Sequence, residues 1–283
     1  MKFARKAHRI RLATLAVSAV LIPVFAVSAG TATAAAPATA GHHQPKPTIV
    51  LVHGAWADAS SWSGEIRRLQ HDGYTVTSAP NPLRGLDDDS AYLEDFLSTV
   101  TGPIILVGHS YGGAVITNAA TGNPNVKALV YVDAFVPDQN ESITTLIGAN
   151  SFIVPALTDP TSVFNLVPYP GAPAGQVDTY LRTDLFITKF ANGVPRAQAA
   201  VLAAAQSPAS TLVFQPTGVP AWRTIPSYDL IGLRDNAITP DSQRMMAARA
   251  HATTFTFNAG HLGLISDPGT VTQVIETAAR DRG

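Results

Sequence analysis

The sequence predicts an α/β fold: a mostly parallel sheet of about six strands flanked by helices, with a helical cap inserted after the fourth strand. Three observations carry this reading. Short apolar runs alternate with amphipathic segments from residue 48 to 132 and again from 228 to 280, the pattern of strands joined by crossover helices. One of these runs passes into Gly108-His109-Ser110-Tyr111-Gly112 and then into an Ala/Val/Ile-rich stretch. That order gives strand, sharp turn and helix. Between the two alternating regions, residues 138–225 are rich in Pro and Gly and too long for a simple crossover, which marks an insertion.

The chain begins with a segment outside this domain. Lys2, Arg5, Lys6, Arg9 and Arg11 precede an apolar stretch from Leu12 to Val27, and Ala32-Thr33-Ala34 fits a small-residue cleavage site. Residues 1–34 therefore read as a secretory signal peptide cleaved near Ala34, so the mature protein is expected to be extracellular and without stable membrane association. Residues 35–47 read as a flexible leader, and residues 48–283 as the folded domain.

The elements follow in order. Thr48 to Val52 is an uninterrupted apolar run ending at His53-Gly54, as expected of a strand buried on both faces. Ser61 to Gln70 is helical, with Trp62, Ile66 and Leu69 on one face and Gly73 as the stop. Tyr74 to Ser78 forms the second strand, and Asp87 to Val100 a helix with an acidic first turn. Ile104 to Val107 is the third strand, with a helix after the turn to about Thr121. Val126 to Val132 is the fourth strand, leading to Asp133. Within the insertion, helices are expected near 176–190 and 195–206. Tyr228 to Leu233 and Thr253 to Phe257 supply the last two strands, with helices at about 240–250 and 268–280.

Composition narrows the function. Loss of residues 1–34 leaves 14 basic against 20 acidic residues, a net charge of −6, with no basic run suited to nucleic acid. Charged residues make up 14% of the chain, which fits a large core and an apolar substrate cleft. The absence of cysteine excludes disulfides and thiolate chemistry. No cofactor or metal is called for.

Catalytic groups in parallel sheets collect at the carboxyl ends of strands. Ser110, Asp235 and His261 all follow strands, in that order along the chain. A serine hydroxyl becomes a competent nucleophile when an imidazole takes its proton, and a carboxylate fixes the imidazole tautomer. Asp133, after the fourth strand, competes with Asp235 for the acid's place. The backbone N–H groups of Tyr111 and Ala55 are placed to hold an oxyanion. Trp56 and Trp62 suit either an acyl pocket or packing, and Asp58 suits a brace for the turn. Phe152, Phe164, Tyr169, Phe186, Phe190 and Trp222 give the insertion an apolar character.

With these residues in place, the chain resembles the α/β-hydrolase superfamily. Within it the chain looks like the branch of plant methyl esterases and hydroxynitrile lyases. The likeness rests on Val50-Leu51-Val52-His53-Gly54-Ala55-Trp56, Val107-Gly108-His109-Ser110-Tyr111-Gly112-Gly113, Leu129-Val130-Tyr131-Val132, Asp235-Asn236-Ala237-Ile238-Thr239-Pro240 and Gly260-His261-Leu262. The resemblance implies a serine esterase acting on small to medium apolar carboxylic esters, with Asp235 rather than Asp133 as the acid. The same scaffold also serves cofactor-free haloperoxidases or perhydrolases and hydroxynitrile lyases. Those lyases carry a threonine in the first turn and a lysine after the histidine, where this chain has Gly54 and Leu262.

Overall fold

The computed structural model describes residues 46–282. The export signal expected at 1–34 lies outside these residues, as does all of the expected leader except its last two positions. Nine strands are present among the described residues: β1 (Thr48–Val52), β2 (Val76–Ser78), β3 (Ile104–His109), β4 (Val126–Val132), β5 (Phe164–Val167), β6 (Asp178–Leu181), β7 (Ala209–Ser210), β8 (Ser227–Gly232) and β9 (Thr253–Phe257). The helices are α1 (Ser63–His71), α2 (Leu86–Ser98), α3 (Tyr111–Ala119), α4 (Thr183–Leu185), α5 (Arg196–Ala205), α6 (Pro240–Arg249), α7 (Gly263–Ser266) and α8 (Pro268–Arg282).

Six strands form one parallel sheet in the order β2-β1-β3-β4-β8-β9. The inner strands β3 and β8 are buried at every position, as parallel strands covered on both faces are. The edge strands β2 and β9 carry threonines and less buried positions. The chain runs from β1 outward to β2, then returns across β1 to β3 and continues the other way. The order therefore reverses between β1 and β3, and a crevice opens there at the carboxyl edge. The turn after β1 and the turn after β3 both end in this crevice.

Residues 133–226 lie between β4 and β8 and carry a small antiparallel sheet, β5-β6-β7, besides their helical turns. The helix expected near 176–190 is in part a strand. Val177, Thr179 and Tyr180 are β-branched or aromatic and suit a strand better than a helix. β6 pairs with β5 and β7, and the chain turns helical only after Arg182.

Close approach at the crevice explains the glycines of the turn after β3. A Cβ on Gly112 would lie 2.5 Å from the Val52 carbonyl oxygen and 2.8 Å from that of His53. Neither backbone atom can swing aside. Gly112→Ala is therefore expected to cost roughly 1–3 kcal/mol, as forced overpacking does, read as a lower denaturant midpoint.

Candidate active site

Ser110 follows β3 with φ 53° and ψ −124°, a left-handed conformation that is costly for a residue with a Cβ. The strain lifts Oγ off the sheet edge, and α3 begins at the next residue. His261 sits in the loop after β9 and Asp235 in the loop after β8. The structure brings the three together. His261 Nε2 lies 2.9 Å from Ser110 Oγ, and Nδ1 lies 2.8 Å from Asp235 Oδ2. His261 and Asp235 are buried.

Asp235 is held by more than the imidazole. Its Oδ1 accepts from the Ala237 and Ile238 amides at 2.7 and 3.0 Å, and its Oδ2 from Gln243 Nε2 at 2.8 Å. Four donors thus converge on one carboxylate and fix its orientation. Asp133 does not join them. Its Oδ1 accepts from the Gly232 amide at 2.7 Å, and its Oδ2 has no hydrogen-bond partner among the described residues. Burial, and then the charge of Asp235, push its carboxyl well above the usual range.

Ala55 and Tyr111 both line the same crevice as Ser110. Among the described residues, neither amide donates to a backbone acceptor. Both residues are buried beside Ser110, and a buried N–H without a partner in the fold is available to a ligand. The turn carrying Ala55 is braced from behind, since Asn81 Nδ2 donates to the His53 carbonyl at 2.7 Å. His53 Nδ1 donates to the Gly54 carbonyl at 2.9 Å. Asp58 braces the turn's exit by accepting from the Ser60 amide at 2.7 Å. The Tyr111 phenol donates to Asp89 Oδ2 at 2.7 Å.

Several supporting residues are not evident from sequence. His109 is more than a spacer in the turn. Its Nε2 lies 2.9 Å from the His261 carbonyl oxygen and must be the protonated nitrogen, because a carbonyl only accepts. Burial lowers its pKa well below the usual imidazole value, so it stays neutral while it ties the His261 loop to β3. Gln243 and Asn81 carry no motif that marks them. Asp89 stands in an acidic helix start, where a dipole role explains it equally well.

Above the crevice lies a cavity of about 430 Å³. Its wall includes Trp56, Ile147, Ile153, Phe164, Val213 and Phe214, and no Asp, Glu, Lys or Arg. The threonines that reach it are already engaged. Thr179 Oγ1 donates to the Ala209 carbonyl at 2.7 Å, Thr144 Oγ1 pairs with Ser142 Oγ at 2.9 Å, and Thr211 Oγ1 pairs with Gln176. Trp62 does not reach the cavity; it is fully buried, edge-on to the His109 ring at 6.4 Å. Of the insertion's aromatic residues, Phe164 and Phe214 line the cavity, while Phe190 packs on the His261 ring at 4.9 Å. Trp222 lies apart, donating to the Pro137 carbonyl at 2.8 Å.

Comparison with known proteins places the chain among relatives of the same fold. Over 112 residues the chain is 36% identical to a carbendazim hydrolyzing esterase of Nocardioides sp. (strain SG-4G), covering 35% of this chain and 46% of the relative. Over 107 residues it is 32% identical to an alpha-hydroxynitrile lyase of Arabidopsis thaliana, covering 33% and 42% respectively. The chain thus matches less than half the length of these curated relatives. Among solved structures, an extracellular alpha/beta-hydrolase from a Paenibacillus species superposes with a TM-score of 0.67. It is 24% identical, and the match covers 83% of this chain and all of that one, a likeness of fold. The model of the alpha/beta hydrolase family matches residues 49–274, and the chain belongs to that family.

Proposed function

We propose that this protein is an exported serine esterase that cleaves carboxylic esters with apolar substituents. The observation that carries the reading is the hydrogen-bonded line Ser110–His261–Asp235, opening into a cavity without charged residues. Ser110 Oγ attacks the ester carbonyl as its proton passes to His261 Nε2. Charge gathers on the carbonyl oxygen, and the Ala55 and Tyr111 amides meet it. His261 then gives its proton to the departing alkoxide, leaving an acyl group on Ser110. Water, deprotonated by the same imidazole, releases the acid and restores the serine.

The cavity supports a neutral, apolar substrate. Its wall has no charge to pair with an anionic or cationic group, and its threonine hydroxyls already have partners. A polar substituent buried there would lose its water without replacement. The basic and apolar character of residues 1–34 supports export.

Lyase chemistry fits less well. A Cβ at position 54 would stand 2.6 Å from the Ser110 Cβ, so this turn has no room for the threonine of the lyases. Leu262 is buried and apolar where those enzymes carry a lysine, and a departing cyanide would find no cation there.

The test is covalent. A p-nitrophenyl phosphonate should release one p-nitrophenol per protein molecule, and the added mass should map to the peptide holding Ser110. Activity on a graded series of p-nitrophenyl esters should disappear in step. Labelling elsewhere, or full activity after labelling, would refute the assignment.

A further inference from the structure

Trp56, the residue after the oxyanion turn's Ala55, is buried with φ 57°. Left-handed backbone is uncommon for any residue with a side chain and rarer for a bulky one, so something must hold it. The backbone of these two residues gives little support. Among the described residues, neither Ala55 nor Trp56 takes part in a backbone–backbone hydrogen bond of this turn, and the braces from Asn81 and His53 stop at Gly54.

The indole has an anchor of its own. Its Nε1–H donates to both the carbonyl and the Oγ1 of Thr179, at 3.2 and 3.1 Å, on strand β6 of the inserted segment. Thr179 is itself tied to β7 through Ala209. The ring stacks on Phe164 of β5 at 5.2 Å and meets Phe190 edge-on at 5.8 Å. Phe190 packs on the His261 ring. One side chain therefore joins the backbone that bears the oxyanion donor to the insertion's small sheet and, through one aromatic ring, to the base.

We propose that Trp56 is a positioning residue: anchored on Thr179, it sets the turn so that the Ala55 amide points at the oxyanion, and thereby couples the docking of the insertion to catalysis. The inference rests on the serine-esterase reading above. Trp56 need not touch the reacting atoms. An amide displaced by a fraction of an ångström would still let substrate bind but would stabilise its transition state less.

The experiment compares Trp56→Phe, which keeps an aromatic ring and loses the N–H, with Thr179→Val, which keeps the carbonyl acceptor and loses Oγ1. Near-UV circular dichroism and Tm establish that each variant is folded, and kinetics are run well below the lower Tm. For p-nitrophenyl acetate, Trp56→Phe should lower kcat by roughly 10- to 100-fold, the scale of a small misplacement, with KM nearly unchanged. Thr179→Val should move in the same direction by less, and the double variant should be no worse than Trp56→Phe alone. A trifluoromethyl ketone, which forms the tetrahedral adduct, should lose affinity by the same factor as kcat/KM, while the matching methyl ketone should not. A raised KM at unchanged kcat, or equal weakening of the two ketones, would make Trp56 a substrate contact and overturn the proposal. So would wild-type kinetics in both variants while Ser110→Ala is inactive. Activity retained by Ser110→Ala would instead remove the serine reading beneath it.

Discussion

Asp235→Asn is expected to lower kcat/KM for p-nitrophenyl esters by roughly four orders of magnitude, the scale seen when a triad acid becomes an amide. Asp133→Asn should stay within about tenfold of wild type, as expected of a residue that touches no reacting atom. The asymmetry follows from the donors around each carboxylate. Asp235 Oδ1 receives two backbone N–H groups, so in the Asp235→Asn variant this place must be taken by the amide oxygen. The NH2 group is then forced toward Gln243 and His261 Nδ1. It would donate to Nδ1 and drive the ring proton onto Nε2. An imidazole protonated there cannot accept from Ser110. Burial pushes the Asp133 carboxyl well above the usual range, its side chain accepts from the Gly232 amide and does not touch His261, and an amide replaces it with little electrostatic change. Steady-state kinetics on the two variants, with Ser110→Ala as the background, decides the matter. Comparable losses in both would mean that the two acids act as a unit.

The legibility of this site in sequence follows a physical boundary. Ser110, His261 and Asp235 are visible because each follows a strand whose apolar run announces itself, and because the sharp turns that carry them place glycine or proline nearby. The six strands of the main sheet are visible for the same reason. Asp133 can be named as a rival from sequence but not dismissed, since its protonation depends on burial and on its distance from Asp235. Gln243, Asn81 and Asp89 are invisible as partners because each acts across the fold, through contacts that no local pattern encodes. His109 reads as a spacer, and only its approach to the His261 carbonyl gives it a role. The insertion is the least legible part. Its strands are two to four residues long, shorter than the repeat needed to distinguish period two from helical spacing. The role of Trp56 is hidden in the same way, since its anchor lies 123 residues away on one of those strands.

A second large effect is expected far from the reacting atoms. Glu65→Gln should leave stability unchanged near pH 4 and raise it by about 3–5 kcal/mol at pH 8 and above, on the scale of about 1.4 kcal/mol per unit of pKa shift. Glu65 lies in α1 and is fully buried, and neither carboxylate oxygen has a hydrogen-bond partner among the described residues. Burial pushes its carboxyl from the ordinary 4.5 up to about 8; its own amide, Arg68 and Arg67 pull in the other direction, and Asp267 reinforces the rise. The sign follows from where the proton resides. Below pH 4.5 both the folded and the unfolded chain hold it, and folding is indifferent to pH through this group. Between 4.5 and 8 the unfolded chain releases the proton while the folded one retains it, so stability falls with each pH unit. Above 8 the folded carboxylate ionises too, and the loss levels off. A glutamine never ionises, so the variant lacks this slope. Urea denaturation in small pH steps across this window isolates the effect as the difference between the two proteins. The slopes contributed by Asp133 and Asp229, also buried with raised pKa, cancel in that difference. Parallel curves for wild type and variant would show that Glu65 is ionised in the folded protein, and that α1 holds a buried charge by means other than its proton.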